Sequence, residues 1–374
     1  IQNEKSAKAL SDYTKLVSKT YDQSLTDGKN LQKAILAFTA DPNEQKLQSA
    51  KEAWLTSRES YGQSEVFRFY EGPIDNEKNG GPEGQLNAWP LDEAYIDYVF
   101  MPDTESDQLV RLESGLISDD GFQITKENLK AQNEAGGEAN IATGYHAIEF
   151  LLWGQDLNSD DEGATAYIIE GKANTGSREI TDYTTDDQAS RRITYLEKVT
   201  EILVEDLEFL TNEWKAAETG YRKDFLALEA QEGFSNILTG MGFLAKGELS
   251  GERMRVALEN HDQEDEHSCF SDNTHRDIVT NFLGIYNVYY GVFGNFEGVG
   301  IRELLSSDLQ ATADSAFENT KETLEAIQAP FDSEISTSNP EGNQRVQAGI
   351  DALGALSDQI VEIALAMEIK NLSV

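Results

Sequence analysis

Apolar residues in this chain recur every three or four positions over long stretches, and only 7 prolines interrupt them. That spacing puts apolar side chains on one face of an α-helix. A half-buried strand needs alternation, and no run shows it strongly. Leu10, Tyr13, Leu16 and Val17 carry the pattern first, then Leu31, Ile35, Leu36 and Phe38. A third helical segment runs from 43 to about 69, through Leu47, Ala50, Trp54, Tyr61 and Phe67, with Pro42 well placed ahead of a helix start. Helicity returns from about 140 to 153. The longest signals follow at 190–217, 221–244, 274–290, 308–327 and 340–369. The expectation is an all-α protein.

Between these segments lie long loops. Gly72-Pro73, Gly80-Gly81-Pro82, Gly84 and Trp89-Pro90 break the pattern over 71–90. Residues 101–135 are polar and irregular, and an acidic, then Gly/Thr-rich stretch occupies 156 to about 186. Their Trp, Tyr and Pro content favours ordered, functional loops. A weak internal echo, 61–97 against 234–275, hints at two related bundles.

The chain has 374 residues, enough for two or three domains or one large one, and its 16 Phe, 14 Tyr and 4 Trp suffice for a real core. Its net charge of −38 argues against sequence-independent binding of nucleic acid and against docking on an anionic membrane. No stretch of about 18 apolar residues suggests a transmembrane helix. The opening Ile1-Gln2-Asn3-Glu4-Lys5 carries no Met and no signal-peptide pattern, as in a mature or truncated product. One cysteine, Cys269, excludes internal disulfides and thiolate zinc sites.

All 4 histidines lie in two short segments. The first is Gly144-Tyr145-His146-Ala147-Ile148-Glu149, followed by Phe150-Leu151-Leu152-Trp153-Gly154. On a helix His146 and Glu149 share one face and offer two ligands to a transition metal, as helical bundles do. Taken alone, the spacing reads first as a hydrogen-bonded surface pair, and it lacks the second His that a zincin needs. The second segment runs from His261 to His275 and contains Glu266-His267-Ser268-Cys269-Phe270-Ser271-Asp272-Asn273-Thr274. Ser271, Asp272, Asn273 and Thr274 offer N-caps to the helix that follows. His267 and Cys269 face apart on a helix, and Cys269 reads as a core residue rather than a nucleophile.

Arg58, Tyr61, Glu65 and Arg68, at steps of 3, 4 and 3, line one helix face. They read as an ion-pair ladder, or as a metal-binding Glu65 backed by Arg58 and Tyr61. Trp89-Pro90-Leu91-Asp92-Glu93 sets two carboxylates beside a large aromatic, in a capping position. Two other motifs fail. Asp156-x-Asn158-x-Asp160 starts like an EF-hand loop, but Asp161 stands at the turn Gly and Tyr167 at the bidentate Glu. Gly240-x-Gly242-x-x-Ala245 sits within a helical pattern with no preceding strand, so it is no dinucleotide fingerprint.

Four blocks occur in order between about 60 and 290: Glu65-x-Phe67-Arg68-Phe69 with Gly72-Pro73-Ile74-Asp75, Asn87-Ala88-Trp89-Pro90-Leu91-Asp92-Glu93, Gly144-x-His146-x-x-Glu149 with Phe150 to Asp156, and Glu266 to His275. Together they resemble the imelysin, or M75 peptidase-like, family. The resemblance implies two helical-bundle domains, 1–185 and 186–374, with a pocket at their interface. It implies a bacterial cell-envelope protein, periplasmic or a lipoprotein on the outer membrane, linked to iron acquisition. Its partners would be a metal ion or iron-containing ligand and other iron-uptake envelope proteins. His146, Glu149 and Glu65 are then expected as metal ligands, with Asp92 the alternative to Glu65. Arg58, Tyr61, Arg68, Trp89, Gly144, His267, Ser268, Asp272, Asn273 and His275 are expected around them. Iron is the expected metal and zinc its alternative, and the acidic surface would concentrate cations. Two other readings stay open. One is a zinc-dependent hydrolase with Glu65 or His267 as general base; the other is a non-enzymatic surface adaptor.

Overall fold

In the computed structural model the first two apolar stripes join in one helix of 39 residues, α1 (Gln2–Ala40). The structure describes residues 2–76, 78, 80–103, 109–157, 175–176, 178–370, 372 and 374. On α1 Leu31, Ile35 and Phe38 are buried, while Leu36, one helical step round from Ile35, is exposed. Helix α2 (Glu44–Gly62) starts where the Asn43 side chain accepts the Lys46 N–H.

The expected continuation of α2 to about 69 does not occur. A Cβ on Gly62 would stand 2.1 Å from Thr280 Oγ1, and the Gly62 carbonyl accepts from Asn281. The helix stops there, a tight turn covers Glu65–Phe67, and the backbone is extended at Arg68. Arg58, Tyr61, Glu65 and Arg68 therefore do not line one helix face, although Arg68 still pairs with Glu65.

Helices α3 (Gly144–Trp153), α4 (Ala189–Lys215), α6 (Thr274–Tyr290), α7 (Ser307–Glu325) and α8 (Pro340–Ala366) match the periodicity within a few residues. The predicted helix 221–244 divides into Gly220–Leu226 and α5 (Ala230–Phe243). It then runs on beyond its expected end as wide π turns over Leu244–Arg255. Two short antiparallel ladders were not foreseen. Strand β1 (Val99–Pro102) pairs with β2 (Leu109–Leu112), Val99 opposite Leu112, and β3 (Val292–Phe293) pairs with β4 (Phe296–Glu297). The loop regions also hold short helices at Glu83–Leu86, Glu93–Ile96 and Lys126–Gln132. The EF-hand-like positions Asn158, Asp160, Asp161 and Tyr167 lie outside the described residues.

Helix α1 packs along α2 and α4, and α3 is seated on α4 and α2. Helix α8 packs on α7, α5 and the π turns, while α6 reaches α2, α7 and the π turns and so joins the two sets. Large side chains such as Trp54, Trp214, Tyr145 and Tyr195 fill the interior, each worth roughly 2 kcal/mol or more of apolar burial. The 83–97 region is clamped to α4 through Asp97. This acid accepts from Arg192 Nε and Nη2 at 2.7 and 2.9 Å and from Arg178 Nη1 at 2.9 Å. Among the described residues, no helix is long and apolar enough to cross a membrane.

Candidate functional site

The site begins with a glycine. Gly144 has φ +88°, and a Cβ there would stand 2.6 Å from the Leu86 carbonyl oxygen. Only glycine lets α3 start against the 83–86 turn, and that start sets the rotation of every side chain after it. Every residue of α3 is buried, so His146 and Glu149 are presented to the interior, not to solvent. His146 Nδ1 and Glu149 Oε2 are 2.9 Å apart. Glu149 Oε1 accepts from the backbone N–H and the hydroxyl of Ser271, at 3.0 and 2.7 Å. Both oxygens of Glu149 are thus engaged. Among the described residues, His146 Nε2 has no hydrogen-bond partner. Burial and the charge of Arg58 hold the His146 pKa down at about 3, so the ring is neutral. Burial pushes Glu149 up to about 8, against the hydrogen bonds from Ser271.

A second imidazole faces the first. The rings of His146 and His267 meet edge to face with centroids 4.7 Å apart, and Trp89 lies edge-on to His267 at 5.8 Å. His267 Nδ1 contacts Asp277 Oδ2 at 2.7 Å, and Ser268 Oγ donates to the same oxygen at 2.5 Å. Arg58 donates to both Asp277 oxygens, from Nε at 3.2 Å and Nη2 at 3.1 Å, and to Asn87 Oδ1 from Nη1 at 2.6 Å. Asp277 is fully buried, yet the Arg58 guanidinium and the His267 contact hold its carboxyl well below the usual range. Burial and Arg253 lower His267 to about 3.

The third arm is Glu65. Its Oε2 accepts from Arg68 Nη1 at 3.0 Å and from Arg253 Nη2 at 2.6 Å, the latter delivered by the π turns. Burial alone would raise this acid, but Arg68 and Arg253 hold it at about 2. The Arg253 that holds Glu65 also lowers His267, so its charge reaches both arms. Among the described residues, Glu65 Oε1, Tyr61 Oη, Tyr21 Oη and Arg253 Nε are buried without hydrogen-bond partners, like His146 Nε2. Buried polar atoms left open in this way mark a place for a ligand or for water.

A family model described as imelysin, peptidase M75, matches residues 17–360. The chain belongs to the imelysin family. It is 22% identical over 358 residues to iron-regulated protein A of Synechococcus elongatus, covering 92% of this chain and 82% of that one. Among solved structures it resembles a Parabacteroides distasonis protein named as an iron-regulated protein A precursor, with a TM-score of 0.71 at 16% identity over 97% of this chain and 95% of that one. It also resembles an imelysin-like protein from Psychrobacter arcticus, with a TM-score of 0.68 at 13% identity over 99% and 98%. These last two likenesses concern the fold.

In this imelysin-family chain the expected site residues divide. His146 pairs with Glu149, while His267, Ser268 and Arg58 meet at Asp277, Trp89 lies against His267, Tyr61 lies beside the Arg58 guanidinium, and Arg68 pairs with Glu65. Asn273 joins them through its amide, 3.4 Å from Asp277. Asp92 stands apart: it is exposed, and it caps Glu93–Ile96 by accepting the Ala94 N–H at 3.0 Å. His275 Nδ1–H donates to the Asp272 carbonyl, and burial beside Asp332 and Asp156 pushes the Asp272 carboxyl up to about 9. The N-cap expected of α6 is not made: Asn273 forms no side-chain cap, and Thr274 instead accepts the Ser268 N–H. Cys269 is buried, and burial beside Glu264 and Asp156 raises its thiol pKa, the opposite of an activated nucleophile. Sequence reasoning missed Asp277 and Arg253. Asp277 looks like any acid in the first turn of a helix, and Arg253 reaches Glu65 only because the π turns re-aim it.

The donor set decides how a metal fits. Among the described residues, no three His, Cys, Asp or Glu side chains are placed to hold a metal ion. Among the described residues, His146 Nε2 and Glu65 Oε1 are the imidazole and carboxylate atoms of these arms without a hydrogen-bond partner. They suit an ion that keeps other ligands of its own, not a closed structural site.

Proposed function

We propose that this protein serves bacterial iron acquisition in the cell envelope, taking up iron as cargo at His146. The observation that carries this is the buried, neutral imidazole of His146, with Nδ1 against Glu149, which Ser271 holds in turn, and with Nε2 lacking a hydrogen-bond partner among the described residues. Where Nδ1–H donates to an oxygen of Glu149, the bare Nε2 is the nitrogen presented to a metal. Glu65 Oε1 is the second protein ligand in this reading, and water or the ion's own ligands fill the rest. The names of the Synechococcus and Parabacteroides relatives support iron as the ion. On this reading the site lies between two bundles, the first of which extends past 185 to take in α4, because α4 packs on α1 and α3. Glu65, His146 and Glu149 come from the first, and His267, Asp277 and Arg253 from the second. The zinc-peptidase alternative has no observation of its own, since an open catalytic zinc site uses three protein ligands.

The test is anaerobic calorimetry and metal analysis with iron(II), and with iron(III) citrate, on wild type, His146→Ala, Glu65→Gln and Glu149→Gln. Wild type should bind near one equivalent and His146→Ala none. Glu149→Gln should weaken binding by roughly 10–100-fold. Absence of binding by wild type removes the reading.

A further inference from the structure

A charge closes the approach to Glu65. The Glu65 side chain is sealed from solvent, and Arg68, whose Nη1 donates to it at 3.0 Å, is 11% exposed. Arg68 also contacts Glu83 at 2.9 Å and Glu248 at 3.7 Å, and these acids are 28% and 22% exposed. Contacts therefore lead from solvent-facing acids, through the Arg68 guanidinium, to the buried one.

Two arginines share Glu65, and they are held differently. Arg253 is buried and donates to Asn281 Oδ1 at 2.5 Å, to Glu65 at 2.6 Å and to Glu248 at 2.8 Å. Arg68 is divided among Glu65, Glu83, Glu248 and Asp75, the last at 3.7 Å, and among the described residues its Nε makes no hydrogen bond. On leaving Glu65 it keeps three acids, and Arg253 keeps Glu65 compensated. Neither charge is then buried alone, which is what makes breaking an interior ion pair costly.

The backbone after Arg68 is strained. Phe69 has φ +72° and Glu71 φ +56°, a left-handed conformation that a bulky side chain adopts only under constraint. Asp75 accepts the Phe69 N–H, and the Tyr70 hydroxyl meets that of Tyr13 at 3.0 Å. Strain of this kind gathers at ligand clamps and switch regions. The Phe69 ring lies on the Arg68 guanidinium, its centroid 4.7 Å from Cζ, and against Phe243 at 4.6 Å. Phe243 is 37% exposed, so the guanidinium is pinned by a ring pair at the surface and not by the core.

We propose that Arg68 is a displaceable plug on the route to Glu65, with the Phe69–Phe243 pair as its latch, and that an arriving cation enters as the guanidinium swings towards Glu83 and Glu248. This rests on the reading of iron bound at His146 and Glu65. A guanidinium keeps its charge in a protein, so the plug leaves by moving, and uptake is slowed by that motion.

The test is stopped-flow uptake of iron(II) by the full chain without oxygen, followed by quenching of tryptophan fluorescence, with His146→Ala as the blank. Phe243→Ala should associate roughly 3- to 10-fold faster than wild type, the factor carried by one aromatic pair, and Arg68→Met at least as fast as that. If Arg68→Met does not fold, Phe243→Ala, a change at the surface, carries the test. Wild type that binds iron while the folded variants associate no faster overturns the plug and leaves the iron reading standing. An Arg68 that merely supports Glu65 gives this second result, with weaker binding at an unchanged or lower rate. Wild type that binds no iron removes the iron reading and the plug with it.

Discussion

His146 and His267 stand edge to face with their centroids 4.7 Å apart, each fixed through Nδ1 by its own carboxylate, Glu149 at 2.9 Å and Asp277 at 2.7 Å. The two carboxylates differ in their surroundings. Asp277 is matched by Arg58 and stays ionised, whereas Glu149 meets only neutral donors from Ser271 and is raised. The pair of histidines therefore has one fully ionic support and one that holds a proton more tightly.

Removing the ionic support exposes its cost. Asp277→Asn leaves the buried Arg58 guanidinium without its counter-charge and should destabilise the fold by about 3–5 kcal/mol. Chemical denaturation measures it, and a loss within about 0.5 kcal/mol, the scale of an ordinary surface change, would contradict the role given to this pair.

Gly144→Ala tests the seat of the motif. The substitution demands a left-handed backbone from alanine and drives a Cβ into the Leu86 carbonyl. It should cost at least about 2 kcal/mol and reduce iron binding even though no proposed ligand is changed. Wild-type melting and binding in this variant would show that the start of α3 does not set the site.

Asp97 holds two arginines at once. Asp97→Asn should lower the melting temperature by far more than the exposed pair Lys29–Glu208 when either member of that pair is neutralised. Equal effects in a thermal melt would refute the clamp.

Asp206 on α4 gives a pH signature away from the site. Burial pushes its pKa up to about 7, against the weak pull of Lys130. The folded state thus holds this proton more tightly than the unfolded chain does. Its stabilising effect is complete below the unfolded value near 3.8 and is lost as pH rises through about 7. Asp206→Asn should therefore melt above wild type at pH 8, by roughly 1–2 °C per kcal/mol recovered, with the gain shrinking towards pH 4. A pH-independent difference would count against the raised acid.

Much of the helical frame was legible because helix periodicity is a local property. Helices α4, α6, α7 and α8 bury the side chains that their three- and four-residue spacing marked. The failures have local causes of another kind. Helix α2 ends at Gly62 because Thr280 and Asn281 occupy the space and the carbonyl beyond it, and both belong to α6. The end of α5 becomes π turns that carry Glu248 and Arg253 to Glu65 and Arg68.

The sequence by itself determined an all-α frame, the pairing of His146 with Glu149 and the segments that carry polar chemistry, because these depend on neighbours within one or two helical turns. Only the tertiary structure decided that Glu149 faces the interior rather than outward, that Asp92 is a surface cap, and that Asp277 and Arg253 meet His267 and Glu65. Those outcomes depend on which distant groups share a low-dielectric interior, where an acid keeps its charge only beside a guanidinium, and no spacing along the chain encodes that encounter.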